Sequence, residues 1–366
     1  MRILAIDMGT GTQDILLFDS ERPIENCVKM VMPSATEIAA RRIRHATLDH
    51  VPVVLTGVIA GGGPCSWALE DHIRHGLPAF ATPDAARTFN DDLDEVRASG
   101  VTIVSEDEAR TIEGEPVELR DLDLEAVRGA LAAFDEPVMF DGLALGCLDH
   151  GDAPPGVSDR LFRFEHLQRT VAARNDLLAF ARRAADLEPY LTRARALCGS
   201  ALGEGDVAFM DTGPAAALGA LHDETVGAAG EQVVLNLGNM HLLGFHLRGR
   251  KVASLFEHHT GEVTAAQVEQ FTHALAAGTL AHAEVFESKG HGAYHHDRSI
   301  VGAALPAMVA ATGPQRSKIR DTSLHPYFAA PFGDMMIGGC FGLLRAYAEV
   351  FPGAADAVAA RLGPLP

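Results

Sequence analysis

The chain has 366 residues, of which 47% are hydrophobic and 22% are charged. This length allows two domains, and the composition is typical of a globular protein with a sizeable core. The 49 acidic residues against 30 Lys and Arg give a formal net charge of −19. Because such a charge repels phosphate backbones and anionic lipid, we expect neither nucleic acid nor a membrane as a partner.

Cysteine usage and hydropathy indicate the compartment. The five cysteines are scattered, and the absence of C-x-x-C spacing excludes a local iron–sulfur or zinc-ribbon motif. The sequence shows no secretory h-region and no apolar run of membrane-spanning length. It therefore predicts a cytoplasmic protein.

The most informative segment is a Gly/Thr-rich turn between two apolar runs at the start of the chain. Ile3–Ile6 and Ile15–Phe18 have strand character. Gly9 and Gly11 supply turn geometry that a side chain would hinder. The pattern predicts a β-hairpin with a tight turn.

This turn carries the first candidate site residues. Its backbone N–H groups and the hydroxyls of Thr10 and Thr12 are suited to hold an anion, and Asp7 is suited to hold a hydrated Mg²⁺ ion beside it. Asp14, just after the turn, is grouped with them as a nucleotide-binding residue. An ordinary hairpin without a ligand is the alternative interpretation.

The next elements alternate between strands and helices. The pattern predicts strands at Cys27–Met32, Val53–Thr56, Val101–Val104 and Val138–Leu145, and helices at Ala35–Leu48, Ser66–His75 and Leu124–Phe134. This alternation favours an α/β sheet. The loops Gly61–Pro64 and Leu148–Gly151 each follow a strand and are expected to face a ligand crevice.

From Asp159 to about Gly199 the periodicity becomes helical, with Arg-rich flanks. We interpret residues 158–205 as a helical insertion or interdomain element. Its arginines are predicted to form a solvated face.

A second α/β segment begins near Asp206 and repeats the opening layout. Val233–Leu237 and Leu242–Leu247 flank the turn Gly238-Asn239-Met240-His241, so that Asn236-x-Gly238 corresponds to Asp7-x-Gly9. A weak internal duplication of this kind predicts two related domains that face each other across a cleft.

Asp211 follows the apolar run Val207–Met210 and precedes a stretch of small residues. At such a helix N-terminus its carboxylate either caps the first turn or accepts a proton from a substrate hydroxyl. The two interpretations remain open on the residues alone.

These segments together resemble sugar kinases of the FGGY type, in the superfamily of acetate and sugar kinases, heat-shock chaperone ATPases and actin. The late segment Gly333–Leu343 is similar to that superfamily's adenosine motif, in which Gly338 and Gly339 open a helix against the base. The resemblance implies two ribonuclease H-like, actin-like ATPase domains that face a central cleft. They span residues 1–157 and 206–366, with the helical insertion between them.

The resemblance also implies roles for the residues above. Asp7 is the carboxylate associated with Mg²⁺, and Asp211 is the catalytic base. Thr10–Thr12 forms one phosphate loop, and Gly238–His241, which includes Asn239, forms the other. Asn236 is grouped with them as a nucleotide-binding residue. ATP and Mg²⁺ are the implied cofactors.

A closer resemblance rests on the motifs DHG at Asp149–Gly151, FEHHT at Phe256–Thr260 and GHGAY at Gly290–Tyr294, together with DTGPAAALG and GDMMIGGCFGLLRA. These resemble uncharacterised prokaryotic actin-like proteins that are often labelled as a pyruvate formate-lyase activating enzyme. That label implies a radical enzyme with three clustered cysteines, and this sequence has no such cluster.

The chain departs from the kinase pattern at the second turn, where Asn239, Met240 and His241 replace the usual Thr-Ser pair. Asn and His still donate hydrogen bonds to a phosphate. Their bulk is equally consistent with a site that no longer hydrolyses ATP or that binds a different anion.

Seventeen histidines suggest a metal as an alternative. The candidate substrate or metal ligands are Asp149, His150, His258, His259, His291 and Arg316. His291 and His295 would share one face if their segment were helical, but Gly290, Gly292 and Tyr294 argue against a regular helix there. An H-x-x-x-H pair is the pattern by which some carbamoyl-transferring actin-like proteins bind metal. Asp149 and His150 are equally suited to be an acid–base couple, and Arg316 to pair with a phosphate or carboxylate.

The sequence therefore predicts an ATP- and Mg²⁺-dependent phosphotransferase that acts on a small hydroxyl- or carboxylate-bearing metabolite. One alternative is an ATP-dependent activator or switch for a partner enzyme. A second alternative is a metal-dependent transferase or hydrolase that uses the His-rich loops.

Overall fold

The computed structural model describes residues 1–297, 302 and 305–365. In this part of the chain the strands form three sheets with helices packed around them, so the fold is mixed α/β. No helix among these residues is both long and apolar enough to cross a bilayer.

The first sheet carries the N-terminal hairpin. Across the sheet, its strands are β3 (Val28–Pro33), β2 (Thr12–Asp19), β1 (Arg2–Met8), β8 (Gly142–Cys147), β10 (Asp206–Asp211) and β9 (Arg182–Arg183). The β1–β2 and β2–β3 pairs are antiparallel, whereas the β1–β8 and β8–β10 pairs are parallel. The predicted hairpin is present.

The second sheet repeats this topology. Its strands are β14 (Gly292–His295), β13 (Lys251–His259), β12 (His241–Arg248), β11 (Glu231–Leu237), β15 (Met308–Thr312) and β16 (Tyr327–Phe328). The order β13-β12-β11-β15-β16 has the same sequence of antiparallel and parallel pairs as β3-β2-β1-β8-β10. The duplication seen in the two turns therefore extends to the strand order.

The third sheet is parallel and corrects a sequence-based expectation. It consists of β6 (Val101–Ile103), β5 (Ala79–Ala81), β4 (Val53–Gly57) and β7 (Glu115–Leu119). The predicted strands at 53–56 and 101–104 therefore do not continue the first sheet. Periodicity identifies a strand without identifying its partner, and here the strands pack into a core of their own.

The helices surround these sheets. They are α1 (Ala35–Leu48), α2 (Pro64–Arg74), α3 (Pro83–Ala86), α4 (Leu93–Ala98), α5 (Glu106–Ala109), α6 (Leu124–Ala132), α7 (Asp159–Ala173), α8 (Thr192–Gly199), α9 (Thr212–Ala220), α10 (Glu224–Gly227), α11 (Ala265–Ala276), α12 (His282–Glu287), α13 (Gly338–Val350) and α14 (Ala355–Leu362). The predicted strand at 138–145 begins later, at Gly142.

The Arg-rich stretch at 159–199 is not one helix with a solvated arginine face. It consists of α7 and α8, separated by two 3-10 turns and a short strand. Arg163 on α7 is only 1% exposed. The sequence pattern predicts a solvated position, but buried carboxylates from distant elements compensate the charge of Arg163. Local periodicity does not reveal such partners.

Helices α9 and α13 cross in close backbone contact. A Cβ atom on Gly219 would collide with the carbonyl oxygen of Gly338, and one on Gly342 with that of Ala215. Only glycine fits at such a crossing. This packing brings the first turn of α13 next to Asp7.

Candidate functional site

A cavity of about 980 Å³ is lined by both glycine turns. Its lining includes Asp7, Gly9, Thr10, Thr12 and Asp14 from the first hairpin, and Asn236, Gly238, Asn239, Met240 and His241 from the second. A Cβ atom on Gly11 would lie 2.5 Å from Nδ2 of Asn239, so the two turns also approach each other directly.

The two turns have the same backbone geometry. The N–H of Gly9 donates to the carbonyl oxygen of Thr12 at 2.9 Å. In the second turn, the N–H of Gly238 donates to the carbonyl oxygen of His241 at 2.9 Å. A Cβ atom at either glycine would lie 2.9 Å from the same carbonyl oxygen. Both turns therefore require glycine for one steric reason.

Asp7 and Asp14 face each other across the first hairpin at the cavity. Burial raises the pKa of Asp7 to about 7, and burial together with the charge of Asp7 raises the pKa of Asp14 to about 8. Within the described part of the chain, Oδ1 of each carboxyl group is buried without a hydrogen-bond partner. Two such oxygens fit the preference of Mg²⁺ for hard oxygen ligands.

The Asp7 carboxylate also meets a helix terminus. A Cβ atom on Gly339, in the first turn of α13, would collide with Oδ2 of Asp7. The first turns of α2 and α9 line the cavity as well, through Ser66 and Gly213. Three helix N-termini at one cavity direct partial positive charge toward an anion.

Asp211, the predicted base, lies outside the lining of this cavity. Its Oδ1 accepts from the N–H of Gly213 at 3.1 Å, and its Oδ2 accepts from Nη1 of Arg163 at 2.5 Å. Both oxygens are thus occupied, and the residue is 5% exposed. Of the two open interpretations, this placement favours the helix cap over the general base.

A cluster of histidines reaches the cavity through His150 and His241. One ring nitrogen from each of His150, His241 and His291 lies within 4.8 Å of the others. His259 adjoins them, with its ring centroid 4.5 Å from that of His291. Burial lowers the pKa of His291 to about 3 and that of His150 well below its usual value, which keeps both rings neutral.

A buried ion network supports this cluster. Nδ1 of His241 lies 3.1 Å from Oε1 of Glu257, whose other oxygen lies 3.3 Å from Nε of Arg163. Burial alone would raise the pKa of Glu257, but the charge of Arg163 and the hydrogen bond with His241 hold that pKa well below its usual value. Arg163 in turn binds Asp211, so one arginine links the histidine cluster to the start of α9.

The remaining predicted residues divide between the cavity and its surroundings. Asp149 lines the cavity, but its carboxylate accepts hydrogen bonds from the N–H groups of Gly151 and Ala194. Gly338, His258 and Arg316 lie outside the lining of the cavity. Gly338 packs on Gly219, and the ring of His258 is hydrogen-bonded to Ser288. Arg316 donates to the carbonyl oxygen of Gly313.

The H-x-x-x-H pair does not form a ligand pair. Residues 292–295 are a strand, and His295 bonds to Ser254 and to the carbonyl oxygen of Leu280. Sequence reasoning did not single out Arg163 or Glu257 as site residues. Glu257 immediately precedes the His258-His259 pair, and that adjacency was the available signal.

Comparisons place the chain among known proteins. No curated protein matches it. Among solved structures, it is similar to a ROK hexokinase from Thermus thermophilus, with 14% identity, a TM-score of 0.27 and coverage of 96% of this chain and 90% of that one. It is also similar to an exopolyphosphatase-like protein, with 11% identity, a TM-score of 0.30 and coverage of 100% and 91%.

A third similar structure is a PPX-GPPA enzyme from Aquifex aeolicus, with 11% identity, a TM-score of 0.29 and coverage of 96% and 93%. A family model covers most of the chain and confirms the closer resemblance. This model, described as "Putative pyruvate format-lyase activating enzyme (DUF1786)", matches residues 60–318, and the chain belongs to that family.

Proposed function

We propose that this protein binds ATP with Mg²⁺ in the cavity between the two glycine turns and transfers the terminal phosphoryl group to a small hydroxyl- or carboxylate-bearing acceptor. One observation carries the proposal: two turns with the same hydrogen bond come from two sheets of the same strand order and line one cavity. An anion between them would meet backbone N–H groups from both sides.

The carboxylates explain why a cation belongs to this proposal. A triphosphate placed beside Asp7 and Asp14 would be repelled without a counterion. In our proposal their unpartnered oxygens hold the hydrated ion, while the turns and the helix N-termini hold the phosphates. Bound Mg²⁺ neutralises charge on the transferring phosphoryl group.

The placement of Asp211 outside the cavity is compatible with this chemistry. Phosphoryl transfer depends largely on positioning and on electrostatic stabilisation, with little demand for a strong base. In the proposal, Asp211 acts as a positioning residue, because it fixes the N-terminus of α9 and binds Arg163.

The test is calorimetric titration with a non-hydrolysable ATP analogue, with and without Mg²⁺. We expect Asp14→Asn to weaken Mg²⁺-dependent binding by about 10-fold or more, or at least about 1.4 kcal/mol. Asp19→Asn is the matched control, because Asp19 lies at the far end of the same strand and binds Arg2. Equal affinity for the wild type and Asp14→Asn, or no Mg²⁺ dependence, would overturn the assignment.

Turnover distinguishes transfer from mere binding. ATP consumption that appears only when a metabolite pool is added supports the phosphotransferase. Consumption that requires a partner protein instead would favour the activator, and the phosphotransferase proposal would then fail.

A further inference from the structure

We propose that His150, His241 and His291 form a centre for one divalent transition metal of the Zn²⁺ and Fe²⁺ class, distinct from the Mg²⁺ position at Asp7. The three residues come from separate parts of the fold: the loop after β8, the start of β12 and the residue before β14. Their ring centroids lie 4.9–6.0 Å apart.

The spacing of the ligand atoms fits one ion. One nitrogen from each ring lies within 4.8 Å of the others. Metal–nitrogen bonds of about 2.0–2.1 Å draw such atoms closer still. His150 and His241 line the open cavity, so their rings have room to turn toward an ion.

His291 provides an independent indication of a ligand. It is completely buried, and among the described residues neither of its ring nitrogens has a hydrogen-bond partner. A buried imidazole without partners costs free energy, and such groups are rare in folded proteins. A metal ion at the centre of the cluster would bind that unpartnered nitrogen.

The surroundings of His241 match those of a metal ligand. Its Nδ1 faces the buried carboxylate of Glu257 at 3.1 Å. A carboxylate at one ring nitrogen fixes the tautomer and presents the other nitrogen to a metal. Arg163 balances the charge of Glu257, so Glu257 and Arg163 are positioning residues for the centre.

The ligand set also defines the class of metal and the type of site. Imidazole suits Zn²⁺, Fe²⁺, Co²⁺ and Ni²⁺, whereas Mg²⁺ requires oxygen ligands. Three protein ligands leave a coordination position open, as in catalytic rather than structural sites. Because His150 and His241 line the cavity, that position is open to a water molecule or an anionic oxygen of a substrate.

The experiment is titration of chelator-treated full-length protein with Co²⁺, followed by visible absorption, with elemental analysis of the untreated protein. We expect one transition metal per chain and a Co²⁺ spectrum that Zn²⁺ displaces and millimolar Mg²⁺ does not. His150→Ala should weaken Co²⁺ binding by at least about 100-fold, and Glu257→Gln by about 10–100-fold, as for partners of metal ligands.

Two control variants distinguish this metal centre from the H-x-x-x-H pair and from the Mg²⁺ position. His295→Asn removes the other histidine of the H-x-x-x-H pair and should leave Co²⁺ binding unchanged, because His295 bonds elsewhere. Asp14→Asn should also keep the Co²⁺ spectrum, so failure of the Mg²⁺ site is distinguishable from failure of this one. Thermal melts verify that each variant is folded.

Three results would overturn the metal centre. They are unchanged Co²⁺ affinity in folded His150→Ala, loss of binding in His295→Asn, and a wild type that neither retains nor takes up a stoichiometric transition metal.

Discussion

The two hairpin turns share one backbone geometry and differ in the side chains around them. The first turn is surrounded by Asp7 and Asp14, which we call the carboxylate wall. The second is surrounded by His150, His241 and His291, which we call the imidazole wall. Because oxygen and nitrogen ligands select different cations, the side chains and not the shared turn set which cation each proposed site would take.

The walls also differ in how their charge is supported. The carboxylate wall has a buried oxygen without a partner on each residue and meets the N-terminus of α13. The imidazole wall is backed by the chain Glu257, Arg163 and Asp211. One wall therefore depends on helix packing, and the other on a buried ion network.

The largest effect is expected behind the imidazole wall. Arg163→Met leaves Asp211 and Glu257 buried without their cation, and we expect a loss of about 3–5 kcal/mol in the free energy of unfolding. Denaturant unfolding measures it. Arg169→Met, at an exposed position on the same helix, should change stability by less than about 1 kcal/mol. Similar losses for both variants would refute the buried network.

The next effect concerns the helix packing behind the carboxylate wall. Gly219→Ala forces a methyl group against the carbonyl of Gly338, with an expected loss of about 1–3 kcal/mol and a weakened Mg²⁺ position, because Gly339 moves relative to Asp7. Gly129→Ala, where a Cβ atom meets open space in α6, should instead stabilise the protein by about 0.5–1 kcal/mol. If the Gly219→Ala protein is destabilised but binds Mg²⁺ as tightly as the wild type, the α9–α13 packing does not support the Mg²⁺ position.

The third prediction concerns pH in the metal-free protein. The pKa values of Asp7 and Asp14 are raised from 3.8 to about 7 and about 8, so the folded state binds protons that the unfolded state has released. Their contribution to stability is therefore full below pH 3.8 and declines as the pH rises toward 8. The slope is at most about 1.4 kcal/mol per pH unit for each carboxyl group.

Thermal melts across this pH range measure the decline. The double variant Asp7→Asn and Asp14→Asn should flatten it, and Mg²⁺ should raise the melting temperature of the wild type more at pH 8 than at pH 5. A wild-type profile that keeps the same slope after both substitutions would assign the decline to other groups.

The smallest effect distinguishes the turns themselves. The Asn239 amide accepts one bond from Gln315, so Asn239→Ala should change stability by less than about 0.5 kcal/mol. Loss of the Asn239 amide as a hydrogen-bond donor to phosphate should weaken nucleotide binding by about 2- to 10-fold, which corresponds to the free energy of one hydrogen bond. Thr10→Ala, at the matching position of the first turn, should change stability and nucleotide affinity by similar amounts. A marked difference in calorimetric titration would show that the two turns do not hold the anion equally.

Sequence reasoning was most successful where the signal was local. The Gly9 and Gly238 turns, the flanking strands and the helix at Ala35–Leu48 follow from glycine sterics and apolar periodicity. The correspondence of Asn236 with Asp7 also holds, because both positions occupy the same place in their hairpins.

It was least successful where the partner is distant in the chain. Arg163 resembles a surface arginine because its two carboxylates are 48 and 94 positions away, at Asp211 and Glu257. The separate parallel sheet was missed because β4 pairs with β5 and β7 rather than with the first hairpin.

The sequence by itself determined the two glycine turns, since a Cβ atom at either glycine meets a carbonyl oxygen within the same hairpin. Only the tertiary structure decided what surrounds them. Three histidines from distant elements converge on one turn, and a helix N-terminus reaches the carboxylate of the other, because sheet pairing and the α9–α13 crossing bring these elements together. Steric demands within a turn are local, whereas ligand sets and ion networks depend on long-range packing.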